Sequence, residues 1–157
     1  ELFLKLAFLS RDFDYEFYCI GPFQYQKKSY ENRIKRIFAK LSNIKYFGYL
    51  SLEETNKILE KCHILVNTST IEGFPNTFIQ AWLRNVVVLS LSVDPNNILT
   101  NKKIGFVAKT FTNLVQDFQS LVSNPKDIEV LGLKSRKHAL KYHDINDKCQ
   151  EILDMVI

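Results

Sequence analysis

The chain has 157 residues, of which 46% are hydrophobic and 13% aromatic, and its formal net charge is +4 at pH 7. This length and apolar content predict one domain with a sizeable core over residues 1–157, and they exclude an intrinsically disordered chain. No apolar run approaches the roughly 18 residues needed to span a bilayer, so we expect neither a membrane-spanning helix nor a signal peptide.

Helices and strands are predicted to alternate along the chain. In chain order we expect a helix at 1–10, a strand at 15–20, a helix at 28–41, a strand at 44–47, a helix from 51 to about 61, a strand at 63–66, a helix at 75–84, strands at 86–91 and 105–108, and helices at 112–122, 125–142 and 145–156. Ser51 and Glu54 form a capping-box pattern, and Asn124 and Asp144 are candidate N-caps. The alternation is typical of an α/β, Rossmann-like parallel sheet with right-handed crossovers and helices on both faces.

Three predicted segments follow strands directly: the turn at 48–49, the loop at 68–74 and the loop at 92–97. In parallel sheets ligands bind beyond the carboxyl ends of the strands. We therefore expect these segments to lie along one edge of the sheet, where a ligand site is expected. Asp94 borders this edge, and no role is assigned to it.

The segment at 67–82 joins a predicted strand to a predicted helix through a short polar loop. Gly73 allows a tight backbone and close approach of a ligand. Pro75 suits the first turn of a helix, and the amides of residues 76–78 would then point back toward the loop, where they favour a phosphate. Glu72 places one carboxylate at the mouth of this site. Phosphate donors beside a group that binds hydroxyls suggest a nucleotide-sugar pocket.

The same segment resembles the donor-site motif of retaining glycosyltransferases of the GT-B fold, in family 4 (glycosyl transferases group 1). The motif of that family reads Ser-x-x-Glu-Gly-Phe-Pro-Asn-Thr-x-x-Glu-Ala, and this chain matches it in register at Ser69, Glu72, Gly73, Phe74, Pro75, Asn76, Thr77 and Ala81. The second glutamate is replaced by Gln80. Further similarity at 21–22, 47–49, 86–90, 93–95 and 104–106 extends the resemblance over most of the chain.

The resemblance implies roles for particular residues. Glu72 would contact the hydroxyls of the donor sugar as the catalytic residue, and Gln80 would meet the ribose, more weakly than a glutamate does. Gly48 and Tyr49 would pack against the nucleobase. The remaining donor-binding candidates would surround the sugar and the phosphates: Ser69, Gly73, Phe74, Pro75, Asn76 and Thr77.

The resemblance also implies a reaction and its partners. The enzyme would transfer a sugar from a UDP- or GDP-linked donor to an acceptor hydroxyl with retention, without a cofactor or a metal, in surface polysaccharide or lipopolysaccharide biosynthesis. An N-terminal acceptor domain of the same polypeptide is expected, and the chain would be a fragment that lacks the first strand of its own domain and is inactive alone. Two alternatives stay open: a non-catalytic nucleotide-sugar-binding module and a sugar-nucleotide epimerase.

Cysteine, histidine and charge patterns narrow the cellular setting. The cysteines (Cys19, Cys62 and Cys149) are widely spaced, which is typical of a reduced, cytoplasmic protein, and the histidines lack metal-ligand spacing. Residues 27–40 carry six cations against one carboxylate. We favour a solvated helix face there, and the alternative is peripheral contact with the inner face of a membrane or with a lipid-linked acceptor. Nucleic acid is not expected as a partner, because no aromatic platform accompanies the charges.

Overall fold

A computed structural model describes residues 1–23, 27–144, 149–150 and 153–155. The predicted helix at 145–156, and with it the N-cap role of Asp144, falls for the most part outside the described residues. The chain divides into two compact units, Glu1–Ile58 and Leu59–Ile157. That residues 1–157 act as one domain stays a prediction.

The first unit is built on two parallel strands. It contains α1 (Leu2–Leu9), β1 (Phe17–Ile20), α2 (Lys28–Phe38), β2 (Ile44–Gly48) and the larger part of α3 (Leu52–Leu59). β1 and β2 pair in parallel, with Phe17 opposite Ile44. The capping box is confirmed, because the Ser51 amide donates to Glu54 Oε2 at 2.8 Å and the Glu54 amide donates to Ser51 Oγ at 3.2 Å. These hydrogen bonds satisfy two amides that the first turn of α3 would otherwise leave unpaired.

The second unit carries three parallel strands in the order β3, β4, β5. Its elements are β3 (Ile64–Asn67), α4 (Asn76–Trp82), β4 (Val87–Ser90), a 3-10 turn (Pro95–Asn97), α5 (Ile98–Lys102), β5 (Gly105–Val107), α6 (Phe111–Ser123) and α7 (Pro125–Tyr142). The predicted alternation of parallel strands and helices is confirmed. The five strands form two hydrogen-bonded sheets rather than the single predicted sheet. Residues 95–102 are helical, whereas the sequence predicts a loop at 92–97 and no helix before the strand at 105–108.

β4 is the centre of the second unit, and all four of its residues are buried. Val88 packs in a cluster with Trp82 of α4 and Ala139 of α7, whereas Val87 packs in a second cluster with Leu121 of α6. Because neighbouring side chains of a strand point to opposite faces, these clusters show helices on both faces of β4. Burial of each such valine stabilises the fold by about 1.5–3 kcal/mol.

The turn between α4 and β4 is fixed by a left-handed residue. Asn85 has φ 59°, a left-handed conformation that asparagine tolerates better than most residues do. α7 crosses this turn at Gly132, where an added Cβ would lie 2.2 Å from the Asn85 carbonyl oxygen. Only a residue without a side chain allows this approach of helix and turn.

In the described ranges, every helix is too short or too polar to cross a membrane.

Candidate functional site

The loop that follows β3 stands next to the loop that follows β4. The two strands are parallel with Asn67 opposite Ser90, and the Leu91 amide donates to the Asn67 carbonyl at 2.8 Å. The loops after β3 and β4 therefore begin at the same edge of the sheet. The sequence predicts this for three segments that follow strands, and these are two of them. This edge is where ligands of parallel sheets bind.

Glu72 is exposed in the first of these loops and is held from one side. Asn67 Nδ2 donates to Glu72 Oε1 at 3.1 Å, while Asn67 Oδ1 accepts from the Ser69 amide at 3.0 Å. One side chain at the end of β3 thus orients both the loop backbone and the carboxylate. The other carboxylate oxygen of Glu72 accepts no hydrogen bond from the described residues. The sequence prediction missed Asn67, although an amide ending an apolar strand was a visible signal.

The start of α4 differs from the prediction in two respects. Pro75 is the N-cap, with φ −69° and ψ 115°, and the helix begins at Asn76. The Phe78 amide donates to the Pro75 carbonyl at 2.9 Å, so the prediction that this amide faces the loop unused is wrong. The first turn closes as a tight turn and uses that donor. Asn76 and Thr77 keep their amides at the open end of the helix.

The fold does not require a glycine at position 73. Its φ lies outside the left-handed region, and an added Cβ would meet nothing within 4 Å among the described residues. The backbone therefore does not require a glycine at this position. Close approach of a ligand stays a prediction.

Phe74 joins the loop to an aromatic cluster between α4 and the end of α7. Its ring centroid lies 6.3 Å from that of Trp82, in an edge-to-face arrangement, and 5.3 Å from that of His143. Trp82 is fully buried in the core, and its ring centroid lies 5.5 Å from that of His138. Burial lowers the pKa of His138, and the charges of His143 and Lys102 lower it further. The loop is therefore anchored at Phe74 and open at Glu72.

Gln80 and Asn76 lie one turn apart on α4, on the side away from the buried Phe78 and Trp82. Gln80 is half-buried, and its backbone carbonyl accepts a hydrogen bond from Arg84 Nη1 at 3.2 Å. The helix therefore presents two amide side chains in a row along one face. Amides of this kind both accept and donate hydrogen bonds to hydroxyls.

Gly48 and Tyr49 lie in the first unit, at the carboxyl end of β2. Gly48 has φ 67°, which favours glycine, and its carbonyl accepts from the Gly21 amide at 2.7 Å. Tyr49 is 78% exposed. The turn is thus stabilised by its backbone and offers a free aromatic ring. That Gly48 and Tyr49 form one site with the loop residues stays a prediction.

Asp94, in the loop after β4, is used structurally. Its Oδ1 accepts from the Leu99 amide at 2.8 Å, and its Oδ2 accepts from the Thr100 amide at 3.3 Å and from the Thr100 hydroxyl. These bonds clamp the start of α5, which explains the helical turns that were not predicted. A cavity of about 780 Å³ lies beside this loop, and none of the predicted donor-site residues lines it.

In the part of the chain that the structure describes, no three histidine, cysteine, aspartate or glutamate side chains are grouped to hold a metal ion. Metal-free chemistry stays a prediction.

Comparison with known proteins adds a family and a fold. The family model for glycosyl transferases group 1 matches residues 2–124. None of the curated proteins matches the chain.

Several solved structures resemble this chain. Anabaena Alr3699/HepE in complex with UDP has a TM-score of 0.83 at 14% identity, over 99% of this chain and 44% of that one. Its complex with UDP-glucose has a TM-score of 0.81 at 14% identity, with the same coverage. A mutant of S. aureus TarM, in complex with Fondaparinux, alpha-GlcNAc-glycerol and UDP, has a TM-score of 0.76 at 18% identity, over 98% of this chain and 31% of that one. The likeness confirms the predicted Rossmann-like α/β fold, and this chain spans less than half the length of these proteins.

Proposed function

Because the family model matches residues 2–124, this chain belongs to the glycosyl transferases group 1, and we propose that it is the donor-binding part of a glycosyltransferase. The enzyme transfers a sugar from a nucleotide diphosphate sugar to an acceptor hydroxyl. The observation that carries the proposal is the position of Glu72. Its carboxylate is exposed at the ligand-binding edge of the sheet, is oriented by Asn67 and has an oxygen left to accept hydrogen bonds.

Five of the donor-site residues have distinct tasks in this proposal. Glu72 accepts hydrogen bonds from the sugar hydroxyls and fixes the sugar for attack. The amides of Asn76 and Thr77 donate to the departing diphosphate, whose negative charge grows as the bond to the sugar breaks. Gln80 accepts from one ribose hydroxyl and donates to the other. Tyr49, next to the Gly48 turn, packs against the nucleobase.

The finer features of the reaction are part of the same proposal. We propose transfer of a hexose from a UDP- or GDP-linked donor with retention and without a metal, in a cytoplasmic enzyme that assembles surface polysaccharide or lipopolysaccharide. An acceptor domain that precedes this chain in the same polypeptide completes the enzyme, in line with coverage of only 44% of the Anabaena protein. UDP and UDP-glucose in the Anabaena complexes support the choice of donor class.

The first test is calorimetric titration with UDP, GDP, ADP and UDP-glucose. We expect Glu72→Gln to leave the affinity for the bare nucleotide unchanged and to weaken the sugar nucleotide about tenfold, because a hydrogen bond to a charged group contributes roughly 1.5–3 kcal/mol. Glu129→Gln, an exposed glutamate of α7, is the matched control and should change neither affinity. Equal losses for nucleotide and sugar nucleotide, or none, would contradict the role of Glu72.

The second test concerns Gln80, whose amide replaces the charged second glutamate of the family motif. Charge-assisted hydrogen bonds are about twice as strong as neutral ones, so Gln80→Glu should tighten nucleotide binding several-fold. Gln119→Glu, at a half-buried glutamine of α6, controls for added charge. If Gln80→Glu fails to tighten binding, the glutamine marks a changed donor or a second candidate function, a nucleotide-sugar-binding module without activity.

The third test is transfer itself. A polypeptide extended upstream of Glu1 should transfer sugar to acceptor, and NMR of the product should show the anomeric configuration of the donor. This chain alone should transfer nothing. Transfer by this chain alone, or an inverted product, would overturn the corresponding part of the proposal.

A further inference from the structure

Helix α2 and its flanks form a strongly positive surface that donor binding does not use. Residues 27–40 contain six cations and one carboxylate, a net charge of +5, whereas the whole chain carries +4. The members are Lys27, Lys28, Arg33, Lys35, Arg36 and Lys40, and all are exposed. Such a concentration creates a local field that attracts an anionic partner.

The geometry of α2 turns most of this charge outward. Ile34 is buried and defines the inner side of the helix. Lys28, Asn32 and Arg36 repeat every fourth residue and form a ridge on the opposite side, since successive residues are about 100° apart around a helix. Lys40 follows in the turn beyond the helix. The ridge therefore runs along the helix from Lys28 to Arg36.

The six cations of this surface differ in whether they form an ion pair. Arg33 pairs with Glu1, and Lys35 pairs with Glu31 at 2.5 Å. Among the described residues, neither Lys28 nor Arg36 nor Lys40 forms an ion pair, and the same holds for Lys27. The exposed Lys126, Lys134 and Lys137 of α7 likewise form no ion pair among the described residues, so the density of positive charge, rather than the lack of partners, distinguishes α2.

The chemistry of the outward positions selects the kind of partner. They are polar throughout, and a protein interface would need an apolar core that this ridge lacks. Tyr30 is half-buried on the inner flank, so among the described residues the ridge offers no ring on which a base could stack. A layer of anionic lipid headgroups requires only accessible positive charge.

We propose that the ridge of Lys28, Asn32 and Arg36, with Lys27 and Lys40 at its ends, is a docking surface for a membrane that contains anionic lipid. Docking holds the protein at the surface where a lipid-linked acceptor would be found. The proposal does not depend on donor binding, because none of the donor-site residues belongs to the ridge.

Co-sedimentation with vesicles tests the proposal. The chain should bind vesicles of phosphatidylcholine and phosphatidylglycerol in equal parts, should not bind phosphatidylcholine alone, and should be released by salt, which screens exposed charges. Lys28→Glu/Arg36→Glu/Lys40→Glu should weaken binding at least about 100-fold, since each cation near an anionic surface contributes roughly a factor of five. UDP affinity should not change in this variant.

A matched variant separates the ridge from net charge. Lys126→Glu/Lys134→Glu/Lys137→Glu changes three exposed lysines of α7 and gives the same net charge. It should retain most of the vesicle binding. Should reversal in α2 damage the fold, Lys28→Gln/Arg36→Gln should still weaken binding about 25-fold. Equal losses in both triple variants, no binding by the unmodified chain, or tighter binding to a DNA duplex than to vesicles at the same salt would overturn the proposal.

Discussion

The loops that follow β3 and β4 leave the same edge of one sheet, and each carries one carboxylate. Among the residues that the structure describes, Asn67 alone donates a hydrogen bond to the exposed carboxylate of Glu72. Asp94 accepts from two backbone amides and a hydroxyl at the start of α5. A carboxylate near a ligand edge therefore becomes a candidate for ligand binding only when the fold leaves its oxygens unused. The carboxylate of the first loop is accessible to a ligand, whereas that of the second loop stabilises the start of α5.

The largest expected effect on stability comes from replacing a glycine near each loop with alanine. An added Cβ at Gly105, beside α5, would lie 2.6 Å from the Val88 carbonyl oxygen and 2.7 Å from Leu99 Cδ2. We expect Gly105→Ala to lower the free energy of unfolding by about 3 kcal/mol, at the upper end of the usual cost of overpacking. Gly73→Ala should change it by less than about 0.5 kcal/mol. Urea denaturation measures both.

Gly73→Ala has a second use, because its effect on ligand binding is separate from stability. If a donor approaches the backbone at Gly73, the variant should be as stable as the parent chain and should bind UDP-glucose more weakly. Unchanged binding would mean that the glycine serves neither fold nor ligand. A large loss of stability would mean that the loop is packed more tightly than described.

The two carboxylates themselves should differ by a smaller amount. Asp94→Ala removes the clamp on α5 and should cost about 1–2 kcal/mol, as the loss of a helix cap does. Glu72→Ala should cost less than about 0.5 kcal/mol, because the side chain is exposed. Thermal unfolding should show a lower Tm for Asp94→Ala alone. Equal destabilisation by both substitutions would erase the distinction between the loops.

Removal of the group that orients Glu72 should have a still smaller effect. Asn67→Ala should weaken binding of UDP-glucose about fivefold, since a hydrogen bond contributes roughly 1 kcal/mol, with little change for UDP. Asn67→Asp should weaken it more, because a second carboxylate repels Glu72. Asn101→Ala, at an exposed asparagine of α5, is the control. A wider effect of Asn67→Ala on UDP would point to loss of the whole loop conformation.

The smallest effect concerns the anchored end of the first loop. Burial, His143 and Lys102 lower the pKa of His138 below the ordinary histidine value. The unfolded chain therefore takes up a proton first as pH falls, so stability is complete above the ordinary value and declines toward the lowered one. Trp82, the one tryptophan of the chain, reports this cluster by fluorescence. His138→Gln should flatten the decline of Tm between neutral and mildly acidic pH, and an unchanged profile would contradict the assignment.

Sequence periodicity anticipated the framework of the second unit. The apolar run at 86–91 is buried and contains β4, because helices cover both faces of that strand. In the first unit, Ser51 with Glu54 formed the predicted capping box. The capping box is local, since it depends on two residues three positions apart. The buried strand depends on distant helices, but a continuous apolar run is the pattern that a strand covered on both faces requires.

The candidate site was less accessible to the same reasoning. The hydrogen bond from Asn67 to Glu72 and the clamp of Asp94 on α5 both depend on the path of a loop, which residue types alone do not determine. The Phe78 amide was assigned to the loop because the closing turn at Pro75 was not foreseen. That the motif residues form one site stays a prediction, and the structure adds which atoms of Glu72, Asp94 and Phe78 are already used in hydrogen bonds.

The contact between Gly132 and Asn85 has a consequence for how this chain tolerates mutation. The obstacle to a side chain at position 132 is the backbone of Asn85, so no change of side chain at position 85 can compensate for it. In a library selected only for folded protein, position 132 should remain glycine while positions 67 and 72 vary widely. A second selection, for sugar transfer by the extended enzyme, should then restrict positions 67 and 72. Two selections on one library would thus separate the residues that the fold requires from the residues that the chemistry requires.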